Sequence, residues 1–303
     1  MKPTATWLSS LLIAGVMLAL SANAIDEVSH PRSKGWTADP HAKSEGVVDD
    51  QEIQMKIVRE GVQLVAEGKT VPRTALQMQF GRRTCSLKLP KPRSSKLSRE
   101  AIAARSRAAV VIVARLHRGR QSDDWLAVPA TGFFIAESGA LITSRHVVSS
   151  ADYETIVVMT GDSRVVPVTQ VLASDEGRDV ILLQAEVTRA PALSLQPVVE
   201  VGADVCVMSH PMGRFYTFTQ GAVCRRVVES EGSVVRELLD ISAGFGPGSS
   251  GAPVMDSGGR VVGWVDHLSV RSIGQNGSPD SSPGLVFREC GVASDILKLI
   301  RVR

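Results

Sequence analysis

The chain has 303 residues, 44% hydrophobic and 21% charged, with a net charge of +3. That balance is globular and too weakly basic to imply nucleic acid or an anionic membrane as partner. Two local basic clusters, Arg82-Arg83 and the run from Lys88 to Arg99, read as solvated stretches.

The first 24 residues have the form of a cleaved signal peptide. Lys2 gives a positive start, Trp7 to Leu20 an apolar core too short to span a bilayer, and Ala22-Asn23-Ala24 a small-residue cleavage site. Export to the periplasm or the exterior is expected. No stable membrane insertion is expected after cleavage, because no second long apolar stretch follows. Residues 25–100 form a polar N-terminal arm or pro-region. Within it, Asp49 to Gly68 predicts an amphipathic helix: Ile53, Ile57, Leu64 and Val65 recur at helical spacing, acidic residues lead, and Gly68 closes it. A pro-region, an oligomerisation arm and a packing arm all fit, the packing arm best.

From Ala101 the pattern changes to short apolar, β-branched runs. They include 109–114, 131–135, 140–143, 155–159, 164–172 and 180–184, then 205–208, 217–228, 234–241, 253–255, 261–268 and 285–287. Many short strands with turn signals predict an all-β barrel or sandwich. Val292 to Arg301 has helical periodicity through Ile296, Leu299 and Ile300. The four cysteines suit an oxidising compartment. The preferred pairing is Cys206 with Cys224, in strand-like runs flanking one turn, which leaves Cys85 with Cys290; buried free thiols are the alternative.

The stretch Gly246-Pro247-Gly248-Ser249-Ser250-Gly251-Ala252-Pro253 suits a hydroxyl nucleophile at Ser250. Glycines on both sides permit a sharp turn and leave room for a substrate carbonyl. The same turn can aim the N–H groups of Gly248 and Ser250 at a developing oxyanion. Serine needs a base. His146 ends a β-run and opens a short apolar turn, the framing expected of such a base. The base in turn needs a carboxylate to fix its tautomer. Asp179 opens the apolar strand Val180 to Leu183, where a charge is costly unless paired. Asp175, four residues earlier, reads better as a solvated loop residue.

These segments together resemble the trypsin-like serine peptidases of the HtrA/Deg type. The resemblance is carried by Thr131-Gly132-Phe133-Phe134, Thr143-x-x-His146-Val147-Val148, Asp179-Val180-x-Leu182-Leu183 and Gly248-x-Ser250-Gly251-x-Pro253, in the chain order His, Asp, Ser. Ser209-His210-Pro211-Met212-Gly213 is similar to the Gly-Asn-Pro-x-Gly hairpin of that family. The resemblance implies two perpendicular six-stranded β-barrels over residues 101–303, the first about 105–190 and the second about 197–290, with a short C-terminal helix. It implies endopeptidase activity through an acyl-enzyme on unfolded or misfolded proteins, with no cofactor and no metal. A PDZ domain, usual in that family, is not expected in this chain. Ser249 stands where digestive trypsins have an aspartate, so activation by a new N-terminal ion pair is not expected.

By motif, the P1 pocket is expected near the Ser242–Gly246 stretch, with Gly244 at its base, and the strand Val262-Gly263-Trp264-Val265, without charge and suited to a small or medium apolar residue; Trp264 reads more simply as core packing, Asp240 lies upstream and Asp266 beyond the wall. His210 and His267 read as loop or strand residues. Protein or peptide substrates are the expected partners, and homo-oligomer assembly stays open. The competing reading is a non-catalytic or chaperone-like binding protein on a protease fold.

Overall fold

A computed structural model describes residues 47–92, 94–119, 122–231, 234–271 and 285–302. The expected signal peptide, residues 1–24, lies outside the described residues, as does the arm up to residue 46. Residues 48–303 make one compact unit.

The helix expected over 49–68 is α1, Asp50–Ala66. Asp49 caps it by accepting from the Glu52 amide at 3.0 Å. It closes in a Schellman turn: Gly68 at φ +66° lets the amides of Gly68 and Lys69 reach the carbonyls of Val65 and Leu64. Its apolar stripe, Ile53, Ile57 and Gly61, is buried. At Gly61 a Cβ would come within 2.7 Å of Leu116 Cδ1, so this glycine sets how closely the helix approaches the strands beneath. Ile57 is fully buried, a contribution of roughly 1.5–3 kcal/mol. Ile53 and Ile57 of this stripe pack into the cluster that also contains Ile112, Ala114 and Leu116. A second short helix, α2 (Arg73–Gln77), sets Leu76 into the interior cluster of the first barrel.

Two closed antiparallel barrels of six strands follow. The first joins β2 (Val110–Arg118), β3 (Trp125–Phe134), β4 (Ala140–Ser144), β7 (Val180–Ala185), β6 (Val165–Asp175) and β5 (Thr155–Met159) in that spatial order. The second joins β10 (Val234–Ile241), β13 (Leu285–Val292), β12 (Val261–Arg271), β11 (Pro253–Asp256), β8 (Asp204–Ser209) and β9 (Thr217–Glu231). Closure leaves no strand edge in either sheet. One phase of the strand alternation fills each interior. Val111 and Val113, Phe134, Leu141, Ile156 and Val158, Val168, Ile181 and Leu183 do so in the first barrel. Val207, Val223, Leu239, Val254, Val262 and Cys290 do so in the second. The opposite phase of β2, with Ile112, Ala114 and Leu116, belongs to the cluster that includes Ile53 and Ile57 of α1. Both faces of β2 are therefore buried over Val110–Ala114, which is why that part of its sequence is apolar without alternation.

Two expectations are corrected. The C-terminal helix, α5, covers only Ala293–Lys298. The chain then extends as β14 (Ile300–Val302), which pairs in parallel with β1 (Cys85–Leu87). All four cysteines are free thiols. In the β8–β9 ladder Cys206 stands opposite Gln220, four residues short of Cys224, a separation of about 13 Å along the strand and far beyond disulfide reach. Cys290 lies in the second barrel's interior, whereas the Cys85 thiol points to the Leu299 carbonyl. Among the described residues no helix is long and apolar enough to cross a membrane.

Candidate active site

The short helix α4, Arg145–Ser149, begins where β4 ends, and it presents His146 to the turn before β7. Asp179 holds that residue twice. Its Oδ1 accepts from the His146 amide at 2.8 Å, and its Oδ2 accepts from Nδ1–H at 2.6 Å. The Arg145 amide also donates to the Asp179 carbonyl. Asp179 sits at φ +51°, a left-handed conformation that Asp tolerates better than most residues. Asp175 fixes the turn: it accepts from the Arg178 amide at 3.0 Å and pairs with its guanidinium at 2.8 Å. It is the last residue of β6 and bonded into the turn that follows, not a solvated loop residue. With Nδ1 donating, a neutral imidazole leaves Nε2 as a free acceptor. Burial presses the His146 pKa down, but the Asp179 bond and charge, joined by the Asp266 charge, outweigh it and hold the ring above its ordinary range.

The Gly246–Pro253 turn is anchored to both barrels. Gly248 (φ +93°) and Gly251 (φ +85°) take conformations that disfavour side chains, and a Cβ on Gly251 would meet the Thr131 carbonyl at 2.4 Å. From β3, Thr131 donates its amide to the Ser250 carbonyl at 3.2 Å and its hydroxyl to the Gly248 carbonyl at 2.8 Å. From the second barrel, the Val265 carbonyl accepts from the Gly251 amide. Ser144 Oγ donates to the same carbonyl, tying the foot of the His146 helix to this strand. Ser249 turns inward and donates to Ser209 Oγ.

The Pro247 carbonyl accepts from the Met212 amide at 2.7 Å, so it points at the 3-10 turn Pro211–Gly213. In a trans peptide the Gly248 N–H then points the opposite way. The donor loop is itself rigid. The His210 imidazole is buried and pushed down to about 3 by its desolvation, and its Nδ1 accepts from the Tyr216 amide at 3.0 Å. Asp50, at the start of α1, accepts from the Phe215 amide at 2.9 Å.

His146 and Ser250 line one small cleft of about 170 Å³ together with Phe245, Gly246, Pro247, Val265, Asp266 and His267. His146, Asp179, Gly248 and Ser250 are thus assembled in one region. Gly244, Gly263 and Trp264 do not line this cleft. Trp264 is buried in β12, where its ring lies over Gly291 so closely that a Cβ there would meet it at 2.2 Å. Phe245 and Gly246 come from the stretch expected near the pocket, and the residues that sequence reasoning missed are Asp266 and His267. Asp266, expected beyond the wall, lies in it. In the β12–β13 ladder Val265 pairs with Cys290 and His267 with Glu289, leaving Asp266 as the extra residue of a β-bulge. A bulge re-aims a side chain in a way that strict alternation does not foretell. Asp240, expected upstream, is buried and ion-paired with Arg225.

Residues 130–263 match the family model described as a trypsin-like peptidase domain. Over that stretch the chain is similar to trypsin-like peptidase domains. It is also similar to curated proteins of the HtrA/DegP type. A probable periplasmic serine endoprotease, DegP-like, from Hahella chejuensis is 30% identical over 146 residues, or 48% of this chain and 30% of the relative. The chloroplastic Protease Do-like 1 of Arabidopsis thaliana is 30% identical over 157 residues, or 46% and 34%. The chain spans about a third of the length of these relatives. Among solved structures, the HtrA-type protease AlgW with a decapeptide superposes at TM-score 0.54 with 18% identity, covering 66% of each chain. The active form of the Rv3671c protease from M. tuberculosis does so at 0.52 with 24% identity, covering 72% of this chain and 89% of that one. At those identities the likeness establishes the fold, a double barrel shared with these proteases.

Proposed function

We propose that the protein is an exported serine endopeptidase in which Ser250 is the nucleophile, His146 its general base and Asp179 the carboxylate that orients the base. The observation that carries this reading is the doubly bonded His146–Asp179 pair, which opens onto the same cleft as Ser250. His146 Nε2 accepts the Ser250 proton as Oγ attacks the scissile carbonyl, and the imidazolium then protonates the leaving amine. The amides of Gly248 and Ser250 receive the oxyanion, the first of them aimed by the Met212–Pro247 bond; one such donor contributes about 2.7–4 kcal/mol in the transition state. The small size of the cleft, with Phe245 in its wall, favours a small P1 residue. Relatives named as probable periplasmic serine endoproteases support export and a protein substrate. The test is labelling by a fluorophosphonate probe. Wild type should label, and Ser250→Ala and His146→Ala should not. Equal labelling of wild type and Ser250→Ala would sink the assignment.

A further inference from the structure

Asp266 takes no part in the reaction just described, yet it faces the base. One carboxylate oxygen each from Asp266 and Asp179 and one ring nitrogen of His146 all lie within 4.8 Å of one another. Asp266 is buried, and it is held from two further sides. Arg236 Nη1 of β10 pairs with its Oδ2 at 2.7 Å, and His267 Nδ1 approaches the same oxygen at 3.3 Å. Arg236 is shared: its Nη2 also pairs with Glu229 of β9 at 2.7 Å. On the far side, His267 Nε2 meets Glu289 of β13 at 2.6 Å.

Charge around the base is therefore unbalanced. Asp179, Asp266, Glu229 and Glu289 face the Arg236 guanidinium and His267, whose bond to Asp266 favours its charged form, while the Arg115 guanidinium acts more weakly on the base; the neighbouring Cys290 thiol stays neutral because burial drives its pKa well up. Two carboxylates this close to each other repel, a cost tolerated only where a cation compensates. Arg236, divided between two carboxylates, compensates in part. A further cation is the imidazolium of His146, which forms when the base takes the Ser250 proton and, in the resting protein, when the ring itself titrates.

We propose that Asp266 is a positioning residue for the base: a second carboxylate, clamped by Arg236 and His267, that holds Asp179 against His146 and stabilises the imidazolium formed during attack. This rests on the reading of His146 as the base of Ser250. Burial pushes the Asp266 carboxyl up, but its bond to His267 and the charge of Arg236 outweigh that and keep it ionised. A plain ion pair bracing β10 against β12 would use the same contacts, and the two roles part in their effect on His146.

The test is a ring titration of His146 by NMR in the full chain carrying Ser250→Ala, with and without Asp266→Asn. A unit charge at about 5 Å shifts a titration by about half a unit even with the screening of bulk water. Asp266→Asn should lower the His146 midpoint by at least that amount. The rising limb of the pH profile for fluorophosphonate labelling, measured with Ser250 intact, should move to lower pH by the same step. Arg236→Gln, which removes the compensating cation, should move both upward, and it carries the test if Asp266→Asn does not fold. An unmoved midpoint beside a lowered melting temperature makes Asp266 a structural strut and overturns the proposal. A wild type that never labels overturns the peptidase reading instead, and the ring titration still decides whether Asp266 acts on His146.

Discussion

Thr131→Val is the most informative single change. The substitution keeps the shape and removes one oxygen. That oxygen donates to the Gly248 carbonyl at 2.8 Å and accepts from the His210 amide at 3.2 Å. Both backbone bonds of Thr131 to its surroundings survive, because they use its amide and its carbonyl. A buried polar group left unpaired costs about 1–3 kcal/mol, so two such groups cost about 2–6 kcal/mol if the turn stays in place. For a unit of this size each kcal/mol lowers the melting temperature by about 2–4 °C, which puts the drop at roughly 4 °C or more. If the turn relaxes instead, the melting temperature falls less but the Gly248 amide leaves its position. Loss of one oxyanion donor then slows acylation by about 10²–10³. Melting and the rate of fluorophosphonate labelling, measured together, therefore have to register a loss in at least one. Thr131→Ser, which keeps the hydroxyl, should stay close to wild type in labelling rate. A Val variant that melts and labels like wild type would refute the idea that Thr131 locks the turn.

Labelling or turnover should rise with pH through a midpoint above 6.5, since neutral His146 is the active form and its charged form is stabilised by Asp179 and Asp266; a midpoint at or below 6.5 contradicts that environment. Alkylation without reductant should modify four cysteines in denaturant and chiefly the exposed Cys224 in the native protein, whereas any disulfide-linked peptide would contradict the registers described. Ile57→Ala should cost about 2–5 kcal/mol in a denaturant melt, and excising residues 48–98 should give an insoluble or unfolded product; a soluble, faster-labelling product would make the arm a removable mask. Gly291→Ala should shift Trp264 fluorescence and destabilise by about 1–3 kcal/mol, because the new methyl overlaps the ring.

Much of this was legible in the sequence, and the limits have physical causes. The strands could be read because barrel strands are apolar on at least one face, and α1 because its stripe, its Asp49 cap and its Gly68 close agree. The nucleophile turn could be read because only a glycine on each side of Ser250 permits its backbone. What failed depended on register. The number of cysteines says nothing of which residues stand opposite, and Cys206 faces Gln220. A bulge between Val265 and His267 turned Asp266 toward the base, and no local composition announces a bulge. Trp264 lies on the strand expected near the pocket, and its ring is packed over Gly291, the simpler of its two readings.

The parallel pair of β1 and β14 has a consequence for the order of folding. Cys85 and Ile300 stand more than two hundred residues apart, and closing so wide a loop is slow and entropically unfavourable. Each strand is three residues long and pairs only with the other, so the clasp is expected to close after the barrels that bring its two halves together. Loss of Ile300–Val302 would then release Cys85–Leu87 as well and leave both barrels closed.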